Sequence, residues 1–236
     1  MSDPIKILLH VPVWQREATV RRHMENVERL ISFDPSRYKI TPFYVVSEDW
    51  AVEMCDEFGF DYHRCENSPL GKKMNEGLAQ FINSDFDWMI GLGSDDFVEP
   101  SFLDEYLPYF ETRQIFGLKE VHLINEANGM VKHVIVDQGC FGALRAIRWD
   151  LLTSASFDGE RFIGIWENNQ HKVLDYVSSI NIHRRTGQFV YPVHIEAKLF
   201  DVKGDLNING FDKCAGERVR VGIDEIPKEL HYLYEK

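Results

Sequence analysis

Apolar and polar positions fall into regular blocks along the first half of the chain. Ile5 to Val13 is a continuous apolar run, the pattern of a strand buried on both faces. Val20, Met24, Val27 and Ile31 then recur at helical spacing and predict an amphipathic helix over Glu17 to Ile31. The stretch "KITPFYVVSE" predicts a second strand, with Pro42 near its start. Asp49 is placed to cap a helix from Trp50 to Phe58, and Gly59 to end it. "FDYHRCE" predicts a third, shorter strand, and "NSPLG" a loop. Met74, Leu78, Phe81 and Ile82 line one face of a helix over Lys72 to Ile82. Trp88 to Leu92 is a buried fourth strand that runs into Gly93, Ser94, Asp95 and Asp96.

This order, β-α-β-α-β-α-β, predicts an α/β protein with a Rossmann-like, mostly parallel sheet flanked by helices. Ligands of open α/β sheets bind beyond the carboxyl ends of the strands. The loops "PVWQRE", "VSEDW", "ENSPLGKKMN" and "GSDDF" are therefore expected to meet at one crevice. The second half is less regular. Helices are expected over Pro100 to Phe110, over "ALRAIRWDLLTSA" and over Trp166 to Ser179. Strands are expected in "LKEVHLIN", "MVKHVIVD" and "QFVYPVHIEA". The tail from Asp201 to Lys236 has mixed charge and no clear periodicity. No linker divides the chain, so residues 1–236 read as one domain, with a ligand-binding half (5–107) and a second half (108–236).

Composition narrows the function. The chain has 26 basic and 38 acidic residues, a net charge of -12, which disfavours a long non-specific nucleic-acid track. Cys55, Cys65, Cys140 and Cys214 form no C-x-x-C pair, and such scattered cysteines suit reduced thiols in the cytoplasm. The opening "MSDPIKILLHVPV" lacks the features of a signal peptide, and no apolar run matches a membrane span. The expectation is a soluble cytoplasmic protein without stable membrane insertion.

The chemistry centres on Asp95 and Asp96. Two adjacent carboxylates at a strand end repel, so solvent, a helix N-terminus or a metal must stabilise them. Paired oxygen ligands suit Mg²⁺ or Mn²⁺, which also bridge a diphosphate. The competing reading is a helix cap ahead of "FVEPSFLDEY". The chain has no G-x-G-x-x-G, no P-loop and no G-x-S-x-G elbow. Lys72 and Lys73 open a helix, where cations are disfavoured, and this supports a phosphate role.

The segment "NSPLGKKMNEGLAQFINSDFDWMIGLGSDDFVEPSFLDEY" resembles the core of GT-A-fold glycosyltransferases of the family 2 type, including phage-encoded members. "IKILLHVPVWQRE" resembles that family's opening strand and base-binding loop. The resemblance spans Ile5 to Leu107. It implies transfer of a sugar from a nucleotide-diphosphate sugar, a UDP-sugar above all, to an acceptor hydroxyl, with inversion and with Mn²⁺ or Mg²⁺. The acceptor it implies is a glycan, a protein or a modified nucleic-acid base. Position by position, Asp95 and Asp96 match the metal-binding aspartates, while Gly93 stands where the family's first aspartate lies. Asn75 matches the family's helix asparagine. Met74 stands where a basic residue is usual, and Lys73 or Lys72 is the substitute. Pro12, Trp14, Arg16, Glu48 or Asp49, and Ser94 fall in the loops that border the nucleotide. The resemblance implies a catalytic base in the second half, with Asp175 favoured over Glu167, and a metal-binding histidine, His194 or His183. Two other classes stay open: a sugar nucleotidyltransferase, and a binding protein of this fold without catalysis.

Overall fold

Alternation along the first strand sends its side chains into two separate cores. The computed structural model describes residues 3–137, 139–171, 174–205, 211–214 and 216–234. In β1 (Ile5–Pro12), Ile7, Leu9 and Val11 enter one core and Leu8 enters the other. Helix α1 (Glu17–Ser32) covers the first core with Val20, Met24, Val27 and Leu30. β2 (Tyr38–Val46) repeats the alternation: Tyr44 and Val46 join the first core, Phe43 and Val45 the second. Helix α2 (Asp49–Phe58) ends at Gly59, whose φ of 69° is the left-handed cap that glycine adopts without strain. β3 (Asp61–Arg64) follows, then α3 (Leu70–Ala79), whose Leu78 closes the second core. β4 (Trp88–Gly91) pairs with the other side of β1. All pairings among these four strands are parallel, as the block pattern predicts.

The rest of the chain extends this sheet and builds a second one. β5 (Asp96–Val98) leaves the first sheet, and α4 (Phe102–Thr112) leads to β6 (Ile115–Leu118). β7 (Glu120–Asn125) and β8 (Val131–Ile135) form a hairpin. β9 (Ala146–Arg148) returns between β4 and β6, antiparallel to both. After α5 (Trp149–Ala155), β10 (Phe157–Asp158) and β11 (Arg161–Phe162) make a short hairpin. Helix α6 (Leu174–Thr186), β12 (Tyr191–Val193), β13 (Leu199–Lys203) and β14 (Glu217–Val219) complete the elements used below. The first sheet has the order β12-β6-β9-β4-β1-β2-β3, and the second β14-β8-β7-β13-β5. Among the described residues no helix is long and apolar enough to cross a membrane.

Three expectations change. "ALRAIRWDLLTSA" is not one helix: Ala146 and Ile147 are buried in the middle of the sheet, and tertiary pairing overrides their helical spacing. The helix expected over Trp166 to Ser179 begins only at Leu174, and residues 172–173 lie outside the described set. The tail read as aperiodic contains β13, a central strand of the second sheet.

Helix α1 joins the two sheets through one buried amide. Asn26 is fully buried; its Oδ1 accepts from Val98 N–H at 3.1 Å and its Nδ2 donates to Val98 O at 3.0 Å. β5 is an edge strand, so this side chain replaces the missing neighbour strand. Asn26→Ala would leave Val98's two backbone groups unpaired, at about 1–3 kcal/mol for each buried group. The expected outcome is a stability loss of roughly 2–6 kcal/mol, measured by urea unfolding.

A second expectation concerns acid. His23 on α1 is fully buried, 3.3 Å from the Tyr44 hydroxyl and packed edge-on against Phe97. Burial pushes its pKa down to about 3. The unfolded chain takes up this proton near pH 6.5, so between there and about pH 3 the unfolded state binds more protons. Stability therefore falls as pH drops below 6.5, by roughly 3 kcal/mol from this group at pH 4. Unfolding free energies at pH 7, 5 and 4 should fall less steeply in His23→Gln than in the parent.

Candidate active site

The carboxyl ends of β1 and β4 lie side by side, and a cavity of about 300 Å³ opens beyond them. Its wall includes Pro12, Gly93, Asp95, Asp96, Asp175 and Asp201. The chain leaves β4 through a tight turn in which Asp96 N–H donates to Gly93 O at 3.1 Å. Asp96 then begins β5, and its carboxylate folds back so that Oδ2 accepts Gly93 N–H at 2.7 Å. Antiparallel pairing places Asp201 of β13 directly opposite Asp96. Val202 N–H donates to Asp95 O at 2.9 Å and fixes the turn against β13. Carboxylate oxygens of Asp95, Asp96 and Asp201 come within 4.8 Å of one another.

Two cations hold this cluster. The Arg16 guanidinium lies 3.2 Å from Asp95 Oδ2, and it donates to Val202 O at 2.7 Å and to Glu126 Oε2 at 3.0 Å. Lys203 Nζ lies 2.6 Å from Asp201 Oδ2. Gln15 and Arg16 both have left-handed backbone, with φ of 54° and 59°. Each such residue costs on the order of 1–2 kcal/mol, and the kink points Arg16 into the cluster. Burial, then Asp201 and Asp95, raise the pKa of Asp96 well above the usual carboxylate range. Burial and then Asp95 push Asp201 up to about 6. Burial opposes the charge of Lys203, but Asp201 and Asp95 outweigh it and raise its pKa.

Gly93 has a steric reason. A Cβ there would sit 2.7 Å from Asp96 Oδ2 and 3.0 Å from Asp95 Oδ1. The folded-back Asp96 carboxylate takes the space of a side chain at 93, and Asp201 brings the third carboxylate from another strand. The two aspartates do not cap the following helix, which begins six residues later at Phe102. Asp175, in the first turn of α6, stands across the cavity with its carboxylate against Gly142, where a Cβ would be 1.8 Å from Oδ1. Ser94 is half-buried in the turn itself.

Several expected site residues lie elsewhere. Lys73 is fully buried and donates to Val13 O, to Ser47 Oγ at 2.9 Å and to Asn67 Oδ1 at 2.9 Å. It ties together the loops after β1, β2 and β3 instead of reaching a phosphate, and burial lowers its pKa to about 8. Lys72 faces outward and pairs with Glu66 and Glu76. Asn75 is also a clamp: its Nδ2 donates to Trp166 O at 2.6 Å and its Oδ1 accepts from Trp166 N–H at 3.2 Å. Glu167 accepts from Asn181 Nδ2 at 3.0 Å and does not line the cavity. His194 pairs with Glu120 at 3.0 Å, in a separate cavity of about 460 Å³ shared with His122 and His133. His183 stacks on Phe189. Neither histidine joins the carboxylates, whose third member is Asp201.

In the loops expected to border a nucleotide base, Trp14 is 39% exposed after β1. Glu48, at the end of β2, accepts Gln15 N–H at 3.4 Å through Oε1, while its buried Oε2 has no described partner. Asp49 instead pairs with Arg64. Besides Asp201, sequence reasoning missed His10 and His171, which both line the cavity. His10 is buried against Trp166, with ring centroids 5.6 Å apart, and burial lowers its pKa to about 4.

No protein-family model matches the sequence, and no curated protein matches it. Among solved structures, S. aureus TarS 1-349 in complex with UDP-GlcNAc is similar, with 14% identity and a TM-score of 0.59 over 86% of this chain. The same TarS 1-349 in complex with UDP gives 13% identity and a TM-score of 0.59 over 84% of this chain. The chain spans 60% of the length of either TarS structure. The likeness establishes the fold: a GT-A-like α/β architecture with a mostly parallel central sheet.

Introducing an aspartate at position 93 tests the steric reading of the turn. Gly93→Asp should displace Asp96 from its Gly93 N–H bond and lower stability by about 1–3 kcal/mol, as overpacking does. A melting temperature equal to the parent's would contradict the observed crowding.

Proposed function

We propose that this chain is a glycosyltransferase that takes a nucleotide-diphosphate sugar, with UDP as the nucleotide, and transfers the sugar to an acceptor hydroxyl with inversion. The observation that carries the reading is the convergence of Asp95, Asp96 and Asp201 beyond the strand ends, with Asp175 across the same cavity. TarS, which shares the fold, is complexed with UDP-GlcNAc and UDP.

The three aspartates fit a hard divalent cation, because they offer clustered oxygen ligands in a partly buried pocket. They would hold Mn²⁺ or Mg²⁺, which when bound supplies charge neutralisation to a leaving diphosphate. The chain's own residues do the rest. Arg16 and Lys203 keep three carboxylates together at short range. Glu48 Oε2, an acceptor without a described partner, takes an N–H or hydroxyl of the nucleoside. Trp14 offers an exposed ring for stacking on the base. Asp175 accepts the proton of the acceptor hydroxyl. The acceptor oxygen forms its bond to the anomeric carbon as the bond to the diphosphate breaks on the opposite face. The acceptor is a hydroxyl of a glycan, a protein or a modified nucleic-acid base.

A second reading rests on Arg16 and Lys203, which already neutralise part of the cluster. On that reading the cavity binds a sugar nucleotide without turnover. Melting temperatures with UDP, GDP, CDP and TDP, with and without Mn²⁺, separate the two. UDP with Mn²⁺ at a hundredfold excess over its Kd should raise the melting temperature by roughly 5–10 °C, and Asp95→Asn should remove the rise. Asp175→Asn should keep the rise but lower kcat by about 10²–10⁴-fold. A rise independent of Mn²⁺, with no sugar released or transferred, would favour the binding protein.

A further inference from the structure

A second group of ligand-type side chains lies apart from the carboxylate cluster. His63 and Cys65 are two residues apart at the carboxyl end of β3, the edge strand of the first sheet. Residues at that spacing on an extended chain point to the same side. Cys65 keeps the extension, since its N–H donates to Val46 O at 3.0 Å. Glu76 comes from the middle of α3 and meets them. One nitrogen of His63, the Cys65 sulfur and one Glu76 oxygen all lie within 4.8 Å of one another. All three residues are half-buried. Nothing in the sugar-transfer reading uses them.

We infer that His63, Cys65 and Glu76 form a zinc site, with water as the fourth ligand. The donor set decides the metal. A thiolate and an imidazole beside one carboxylate suit Zn²⁺, whereas Mg²⁺ and Mn²⁺ prefer oxygen alone. Zinc sits about 2.3 Å from sulfur and about 2.0–2.1 Å from nitrogen, so tetrahedral ligand atoms stand about 3.3–3.6 Å apart, compatible with three atoms that lie within 4.8 Å of one another. Coordination replaces the S–H bond of Cys65 with an S–Zn bond and sends the proton to solvent. Lys72 Nζ lies 3.6 Å from Glu76 Oε1, but Lys72 is 44% exposed and can swing into solvent at small cost.

The site would pin β3 to α3. Between them runs the loop whose Asn67 accepts from Lys73, the residue that gathers the loops after β1 and β2. Zinc here therefore braces the rim of the nucleotide crevice from outside, without touching it.

Co²⁺ is the direct probe, because a thiolate ligand gives a sulfur-to-cobalt charge-transfer band that oxygen ligands cannot give. One equivalent of Co²⁺ should produce this band, and one equivalent of Zn²⁺ should abolish it. The band should persist in Asp95→Asn and vanish in Cys65→Ser. His63→Ala and Glu76→Gln should each weaken Zn²⁺ binding by more than the roughly 10–100-fold that losing a supporting hydrogen bond costs. Zinc should also protect Cys65 from alkylation, with peptide mapping of Cys214 as the internal reference. The inference is overturned if no sulfur band forms, if the band survives Cys65→Ser, or if the His63 and Glu76 variants bind Zn²⁺ like the parent. Melting temperatures of the metal-free variants show that each is folded before it is titrated.

Discussion

Three carboxylates share one partly buried corner, and much of the architecture exists to make that tolerable. Asp95, Asp96 and Asp201 repel one another, and removal from water makes the repulsion stronger. The fold answers with three devices. Asp96 spends one oxygen on the Gly93 N–H. Arg16 reaches Asp95 from a kink of two left-handed residues, and Lys203 reaches Asp201 from two positions along the same strand. Gln15 and Arg16 carry backbone strain at the entry to α1. It is explained by the need to aim a guanidinium at a fixed point.

The cluster also explains why the second sheet exists where it does. β5 is only three residues long and lies at an edge, so it has little stability of its own. Pairing with β13 brings Asp201 opposite Asp96, and the buried Asn26 closes the free edge at Val98. Arg29 on the same helix pairs with both Glu99 and Glu229. Helix α1 thus serves two sheets at once. Its apolar stripe covers the first, and its polar residues lock the strand that begins with Asp96.

The first half was legible because each local signal agreed with the tertiary outcome. Continuous apolar runs became β1 and β4, helical spacing became α1, and Gly59 capped α2. Asp95 and Asp96 were legible as cavity residues because they follow a strand end, whereas Asp175 was reached through the family resemblance, since the expected helix from Trp166 placed it mid-helix and not in the first turn. Lys73 and Asn75 misled for a physical reason: a polar residue at a helix start looks the same whether it faces a ligand or a buried carbonyl. Their partners, Val13 and Trp166, are far away in sequence. Asp201 was illegible because β13 is short and sits in a tail without repeated pattern. Its one local sign is "LFDVK", an acid flanked by Phe200 and Val202, both fully buried. Ala146 and Ile147 read as helix because their strand character comes only from β4 and β6 on either side.

Charge balance gives the cluster its chemical direction. Among the described residues, Asp95, Asp96, Asp201 and Glu126 face Arg16 and Lys203, so four carboxylates meet two fixed cations. A corner built only for stability would be better filled by apolar side chains, since buried ion pairs seldom repay their desolvation. Complete pairing would leave nothing for a ligand to do, and no pairing would leave the carboxylates too repulsive to stay together. The arrangement lies between these limits. The two cations bring the oxygens into range, while burial and the neighbouring carboxylates still raise the pKa of Asp96 and Asp201, so repulsion remains in the cluster. Gly93 leaves room for this arrangement, because a side chain there would meet the Asp96 and Asp95 carboxylates. The third carboxylate, Asp201, comes from the facing strand, where Lys203 accompanies it.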